Sequence, residues 1–243
     1  MLGPSEEWLE GHKDGPFVAT YETIGPHHQY LAPEKRYGRE ELDEEETVNR
    51  YLNSLRNQDF FLKNLFDQYK RLGLYEDTVF VLYGDHGEAF GEHGRFQHDN
   101  VPYEEGVKIP LLVHDTTRRF ENGERVEAPV SQLDLLPTVV DLLGYEIEGG
   151  AYEGSSLLRP LPEERTLMFG CWNESGCLAS LNKTEKYVYH FGDNPDEIFD
   201  LSEDPDERRN LAGERPQEAE KRRRELLEWR AEVSSRYGTQ AAP

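Results

Sequence analysis

The chain has 243 residues, 36% of them hydrophobic and 31% charged, with 49 acidic residues against 27 basic ones and a net charge of −22. That balance excludes a nucleic-acid partner, because phosphate backbones demand basic patches, and it disfavours an anionic membrane surface. No apolar run approaches the roughly 18 residues that a membrane span needs. The two cysteines do not make a disulfide scaffold; they read as small buried residues in or near hairpin strands. The basic residues are 8 Lys and 19 Arg. Low Lys with excess Asp and Glu is what salt-saturated cytoplasms select, since high ionic strength screens self-repulsion. The alternative is an ordinary acidic protein. The opening Met-Leu-Gly-Pro-Ser-Glu-Glu-Trp has neither the basic nor the apolar region of a signal peptide, and the expected location is cytoplasmic.

In chain order, residues 1–15 read as a polar, Gly-punctuated loop, 17–24 as a strand, and 26–39 as a loop rich in His, Pro and Tyr. A long helix is predicted over 41–72, where Val48, Leu52, Leu55, Leu62, Phe66 and Tyr69 recur at three- and four-residue steps and Gly73 ends the run. Its acidic first turns suit the positive end of a helix dipole. Strand 78–83 follows, giving the strand–helix–strand rhythm of a parallel sheet with crossover helices. Strand 109–114 and a Pro-interrupted helix over 131–143 come next, then a loop around Gly149 and Gly154 and a boundary at Pro160 and Pro162. Residues 166–200 change to short strands separated by turns. Beyond Pro216, a Glu/Arg-rich surface helix runs to about Arg236, anchored by Leu226, Leu227 and Trp229.

Five residues carry the most chemistry: Gly84-Asp85-His86-Gly87-Glu88, directly after the β-branched run Thr78-Val79-Phe80-Val81-Leu82-Tyr83. They place a carboxylate and an imidazole at a strand end, the edge where open α/β sheets bind ligands. Asp supplies oxygen and His a borderline nitrogen, half of a divalent-metal site. As a bland alternative, Asp and Gly act there only as turn formers. Next come Gly91-Glu92-His93-Gly94, His98, and Tyr103-Glu104-Glu105 leading to a strand opened by Pro110.

This order resembles the sulfatase family of the alkaline-phosphatase superfamily. Pro26-His27-His28-Gln29-Tyr30 looks like the family's Pro-His-x-Pro-Tyr, with Gln29 replacing its second Pro. Gln132-Leu133-Asp134-Leu135-Leu136-Pro137-Thr138 resembles its Asp-Leu-x-Pro-Thr helix. Glu197-Ile198-Phe199-Asp200-Leu201, Asp204-Pro205-Asp206-Glu207 and Asn210-Leu211-Ala212 resemble its closing signature. The resemblance implies an α/β fold, a mostly parallel sheet sandwiched by helices, with a small C-terminal antiparallel subdomain. The expected division is a partial core over 1–163, the small sheet over 164–213, and a surface helix and tail over 214–243.

By the same resemblance Asp85 and His86 bind a divalent metal, calcium by family habit. The imidazole suits manganese or zinc better, and magnesium also stays open. His98 sits where a basic residue contacts the ester oxygens or the leaving group. His27 resembles the Pro-His residue that reaches the sulfate, with His28 as its competitor. His93 reads as structural, bonding the backbone, and Lys108 as a surface charge. The family's nucleophile motif, Cys/Ser-x-Pro-x-Arg, occurs nowhere in the sequence. The chain therefore looks like the second half of a sulfatase, with a separate N-terminal half as a partner and a small-molecule or glycan sulfate ester as substrate. A phospho-ester hydrolase or phosphotransferase, or a non-catalytic metal- and anion-binding remnant, are the competing readings.

Overall fold

A computed structural model describes residues 1–32, 34–116, 123–149, 152–171 and 176–237; the end of the expected tail, from 238 on, lies outside them. The chain divides into two units, Met1–Tyr83 with Pro110–Gly123, and Gly84–Ile109 with Glu124–Pro243.

The first unit opens with a helix, α1 (Leu2–His12), where a loop was expected. The helix exists because of contacts that are distant in sequence. Leu9 is fully buried beside Leu65 and Tyr69, and Gln68 Nε2 donates to the Leu2 carbonyl. A short turn, α2 (Glu34–Tyr37), precedes the long helix α3 (Glu46–Arg71). Glu45 caps α3 by accepting from the Val48 amide at 2.7 Å, and Gly73, at φ +71°, ends it in a conformation costly for other residues. The helix also buries a polar ladder at four-residue spacing, Asn49, Asn53 and Asn57. Asn49 accepts from the Leu42 amide and Asn53 from the Glu40 amide, which fixes the approach segment on the helix flank.

Strand β1 (Val79–Tyr83) follows. Residues 17–24, expected as a strand, form none. Their side chains are held instead by α1 and α3: Tyr21 hydroxyl pairs with Ser5 and Tyr69.

The second unit begins with a two-residue hairpin, β2 (Ala89–Phe90) and β3 (Phe96–Gln97), and a one-turn helix, α4 (Glu104–Val107). The chain then returns to the first unit as β4 (Leu111–Asp115), which pairs antiparallel with β1, Val81 opposite Val113. The expected parallel sheet is not seen among the described residues, where every sheet is antiparallel. A β-α-β crossover needs a strand on each side of α3, and the described residues before it form none.

Further along the second unit lie the turn Gln132–Asp134 and α5 (Leu135–Leu142), then a meander of β5 (Thr166–Gly170), β6 (Cys177–Asn182), β7 (Glu185–His190) and β8 (Glu197–Asp200) in that spatial order. The last helix, α6 (Pro216–Tyr237), covers one face of this sheet. Alternation decides what each face meets. Leu178, Tyr187 and Ile198 point to α6, against Ala219 and Leu226. Their neighbours Ala179, Val188 and Phe199 point the other way and pack against Ala89, Val101 and Tyr103. The segment that follows the Asp-His loop is thus seated on the meander. Leu226 anchors α6 at zero exposure, whereas Leu227 stays 38% exposed. The cysteines are not free: Cys171 and Cys177 close the β5–β6 hairpin as a disulfide, their Cα atoms 5.2 Å apart across the ladder.

Candidate metal centre

The loop that leaves β1 is fixed from two sides within the second unit. Gln132 Nε2 donates to the carbonyls of Gly84 and Asp85, at 3.2 and 2.6 Å. The Gly87 amide donates to the Gly106 carbonyl at 2.9 Å. A Cβ on Gly87 would lie 2.1 Å from the Glu105 carbonyl oxygen, so only glycine lets the loop reach α4. Asp85 turns one oxygen back onto the His86 amide, at 3.0 Å, and leaves its carboxylate 84% exposed.

The hairpin β2–β3 folds His98 back over this loop. The His86 and His98 rings stack with centroids 4.0 Å apart and planes 26° apart. Glu88, with a side chain only 4% exposed, accepts from His98 Nδ1 at 3.0 Å. His86 Nδ1 donates to the Gly87 carbonyl at 2.8 Å, which turns Nε2 toward the cluster and puts it 3.6 Å from Asp85. One donor atom each from His86, Glu88 and His98 falls within a 4.8 Å span. Two imidazoles and a carboxylate, with a second carboxylate alongside, fit a borderline divalent ion better than an all-oxygen calcium cage. The Glu88–His98 contact is also the arrangement by which a carboxylate sets the tautomer and aim of a metal-facing histidine.

His86 and His98 are therefore brought together, with Asp85 beside them. Glu88 is the residue that sequence reasoning passed over; it closes the quoted five-residue motif, but nothing local says that its carboxylate turns inward. His27 belongs to the other unit. It is exposed in a turn where its amide donates to the Ile24 carbonyl and its carbonyl accepts from Tyr30. His28 meets Tyr30 edge-on. Gln29 holds φ +81°, which a proline ring cannot adopt, so this turn requires the departure from the Pro-His-x-Pro pattern. His93 bonds the Glu207 backbone carbonyl at 3.1 Å, and Lys108 is exposed.

A family model described as Sulfatase matches residues 1–145, more than half of the sequence. The chain belongs to the sulfatase family. A low-salt glycan biosynthesis sulfotransferase, Agl7 of Haloferax volcanii, is 29% identical over 158 residues, 61% of this chain and 38% of that protein. An arylsulfatase of Clostridium perfringens is 25% identical over 170 residues, covering 66% and 35%. The crystal structure of a phosphonate monoester hydrolase of Agrobacterium radiobacter superposes with a TM-score of 0.62 at 21% identity, over 76% of this chain and 41% of that one. This sulfatase-family chain thus spans a little over a third of the curated relatives and about two fifths of the solved one. The likeness to the hydrolase shows a shared fold. No described helix is long and apolar enough to cross a membrane.

Proposed function

We propose that this sulfatase-family chain is the metal-binding half of a hydrolase of sulfate esters, small-molecule or glycan, whose nucleophile comes from a separate N-terminal half. The observation that carries this reading is the cluster of His86, Glu88 and His98 at the end of β1, beside Asp85. Asp85 and His86 are assigned as metal ligands, His98 as the group that holds or passes a proton at the leaving group, and His27 as a contact to the sulfate. Calcium, manganese, magnesium and zinc are the candidate ions, with the His86 imidazole favouring manganese or zinc. When bound, the cation would offset charge on the non-bridging oxygens of the ester. Glu88 holds a hydrogen on His98 Nδ1, which leaves Nε2 to act on substrate.

The test starts with metal. The protein completed by its missing half is expected to retain a stoichiometric divalent ion, and Asp85→Ala to lose it. Elemental analysis showing equal metal in both forms would reject the assignment. A transferase or phospho-ester reading is kept because one relative is named a sulfotransferase and a solved neighbour a phosphonate monoester hydrolase. Assaying 4-nitrophenyl sulfate and phosphate side by side separates these outcomes.

A halophilic, cytoplasmic setting belongs to the same reading, supported by the charge of −22 and by the Haloferax relative. Self-repulsion should then destabilise the fold at low ionic strength and molar salt should rescue it. Circular dichroism melts across a KCl series are expected to show Tm rising with salt. A salt-independent Tm would make the acidic surface incidental.

A further inference from the structure

The Gly-Glu-His-Gly turn carries a second, separate piece of chemistry. His93 lies between two acceptors: its Nδ1 is 2.8 Å from Glu105 Oε1, and its Nε2 is 3.1 Å from the backbone carbonyl of Glu207. A carbonyl oxygen can only accept, so Nε2 carries hydrogen, and an ionised carboxylate at Nδ1 asks for hydrogen there too. Both bonds form together only on a doubly protonated ring. That ring is only 19% exposed and lies flat on Tyr103, centroids 3.9 Å apart at 12°.

The contacts lead on to the metal loop. Glu105, held through its carboxylate by His93, presents the backbone against which Gly87 packs with no room for a side chain. Gly106, the next residue, accepts the Gly87 amide. On the other side His93 grips the turn at 200–207, where Glu207 stands at φ +51° and accepts the Glu104 amide at 2.6 Å through its side chain. We propose that His93 is held as an imidazolium that clamps the 87–107 segment onto the 200–207 turn, and that loss of its proton loosens the loop bearing Asp85, His86 and Glu88.

The groups facing His93 are Glu105 from α4, Tyr103 beneath the ring, and Asp204 and Glu207 from the turn; Arg95 lies near Tyr103, and Lys186 behind Glu104 and Glu207. Burial disfavours the charged ring. The Glu105 bond, the Glu207 carbonyl and the two carboxylate charges outweigh it, and the net pKa is raised above 6.5. A histidine with a raised folded-state value stabilises fully below its unfolded value and loses that contribution as pH rises through the folded one. The clamp is thus closed in mild acid and opens toward alkaline pH.

The test uses the full chain and no activity, so it stands apart from the enzymatic reading. Nitrogen-15 spectra of histidine-labelled protein at pH 6 should show both His93 nitrogens protonated, with a titration midpoint above the ordinary value of about 6.5. A single N–H at pH 6 would overturn the proposal. Hydrogen exchange, corrected for intrinsic rates, should show the amides of Gly87, Gly106 and Val107 losing tenfold or more protection across that titration. His93→Phe, which keeps the stack on Tyr103, should show the low protection at every pH. Protection in the unmodified chain that does not change across the titration would also overturn it, and decides the matter if the variant fails to fold.

Discussion

Replacing Lys186 by alanine is expected to cost the second unit about 3–5 kcal/mol, the usual penalty for removing one partner of a buried ion pair. Lys186 lies on β7 with no exposed surface. Its ammonium is 2.8 Å from Glu104 Oε1, 2.8 Å from Glu207 Oε1 and 3.3 Å from the Pro102 carbonyl. Without it, the fully buried Glu207 carboxylate loses the ammonium that neutralises it while the Glu104 carboxylate stays close. Burial already pushes the Glu207 carboxyl above its ordinary value, with Lys186 the main opposing influence. A carboxyl with a raised folded-state value favours the fold at low pH and stops doing so as pH rises through that value. The variant's loss should therefore be larger at pH 8 than at pH 5, because the uncompensated carboxylate charge forms as pH rises. Urea unfolding at the two pH values measures both the size and the slope. A loss under about 1 kcal/mol, within the range of ordinary surface changes, would show that the triad supports little.

The second large effect concerns catalysis by the proposed assembly. The chain alone is expected to turn over neither 4-nitrophenyl sulfate nor phosphate, and joining it to a nucleophile-bearing half should restore activity. In that assembly His98→Ala should then depress turnover by about a hundredfold or more, as for a lost acid–base group. Glu88→Gln probes positioning instead. The amide can still accept from His98 Nδ1, but it no longer offsets a positive imidazole, so kcat should fall while KM changes little. Equal falls in kcat for His98→Ala and for an exposed control such as Lys108→Ala would remove His98 from the chemistry. Metal-dependent hydrolysis by the chain alone would demand a nucleophile within these residues.

Elements whose signal is periodic and local were legible in the sequence. Strands β1 and β4 and helix α6 repeat their apolar pattern long enough to be read within a residue or two of their ends, α3 was read at its end but five residues early at its start, and the β5–β8 meander was read as a span without its separate strands. What escaped depends on partners far away. α1 is ordered by Leu9 meeting Leu65 and Tyr69, and 17–24 has strand-like composition but pairs with no strand among the described residues. The asparagine ladder of α3 was hidden because reading a helix by its apolar face ignores buried amides. At the site, Asp85 and His86 were visible as neighbours in the sequence, whereas the inward turn of Glu88 depends on a hairpin that brings His98 back over the loop. Lys186 was unreadable for a similar reason: a lysine in a short strand normally faces water, and only the two glutamates make its burial tolerable.

The distance along the chain between Glu104 and Glu207 matters during synthesis. Glu104 is bonded to a residue 103 positions downstream, and translation at about 5–20 residues per second delivers that residue roughly 5–20 s later. Once it has cleared the ribosome, the nascent Asp85–His86 loop waits out the rest of that interval without its lysine, its turn or the sheet that seats it. A cell making this protein must carry a half-built Asp85–His86 loop, with exposed imidazoles and an unburied Tyr103, until Glu207 has emerged. Synonymous codons that slow elongation between 110 and 200 should therefore lower the yield of folded protein more than the same pauses placed after 210.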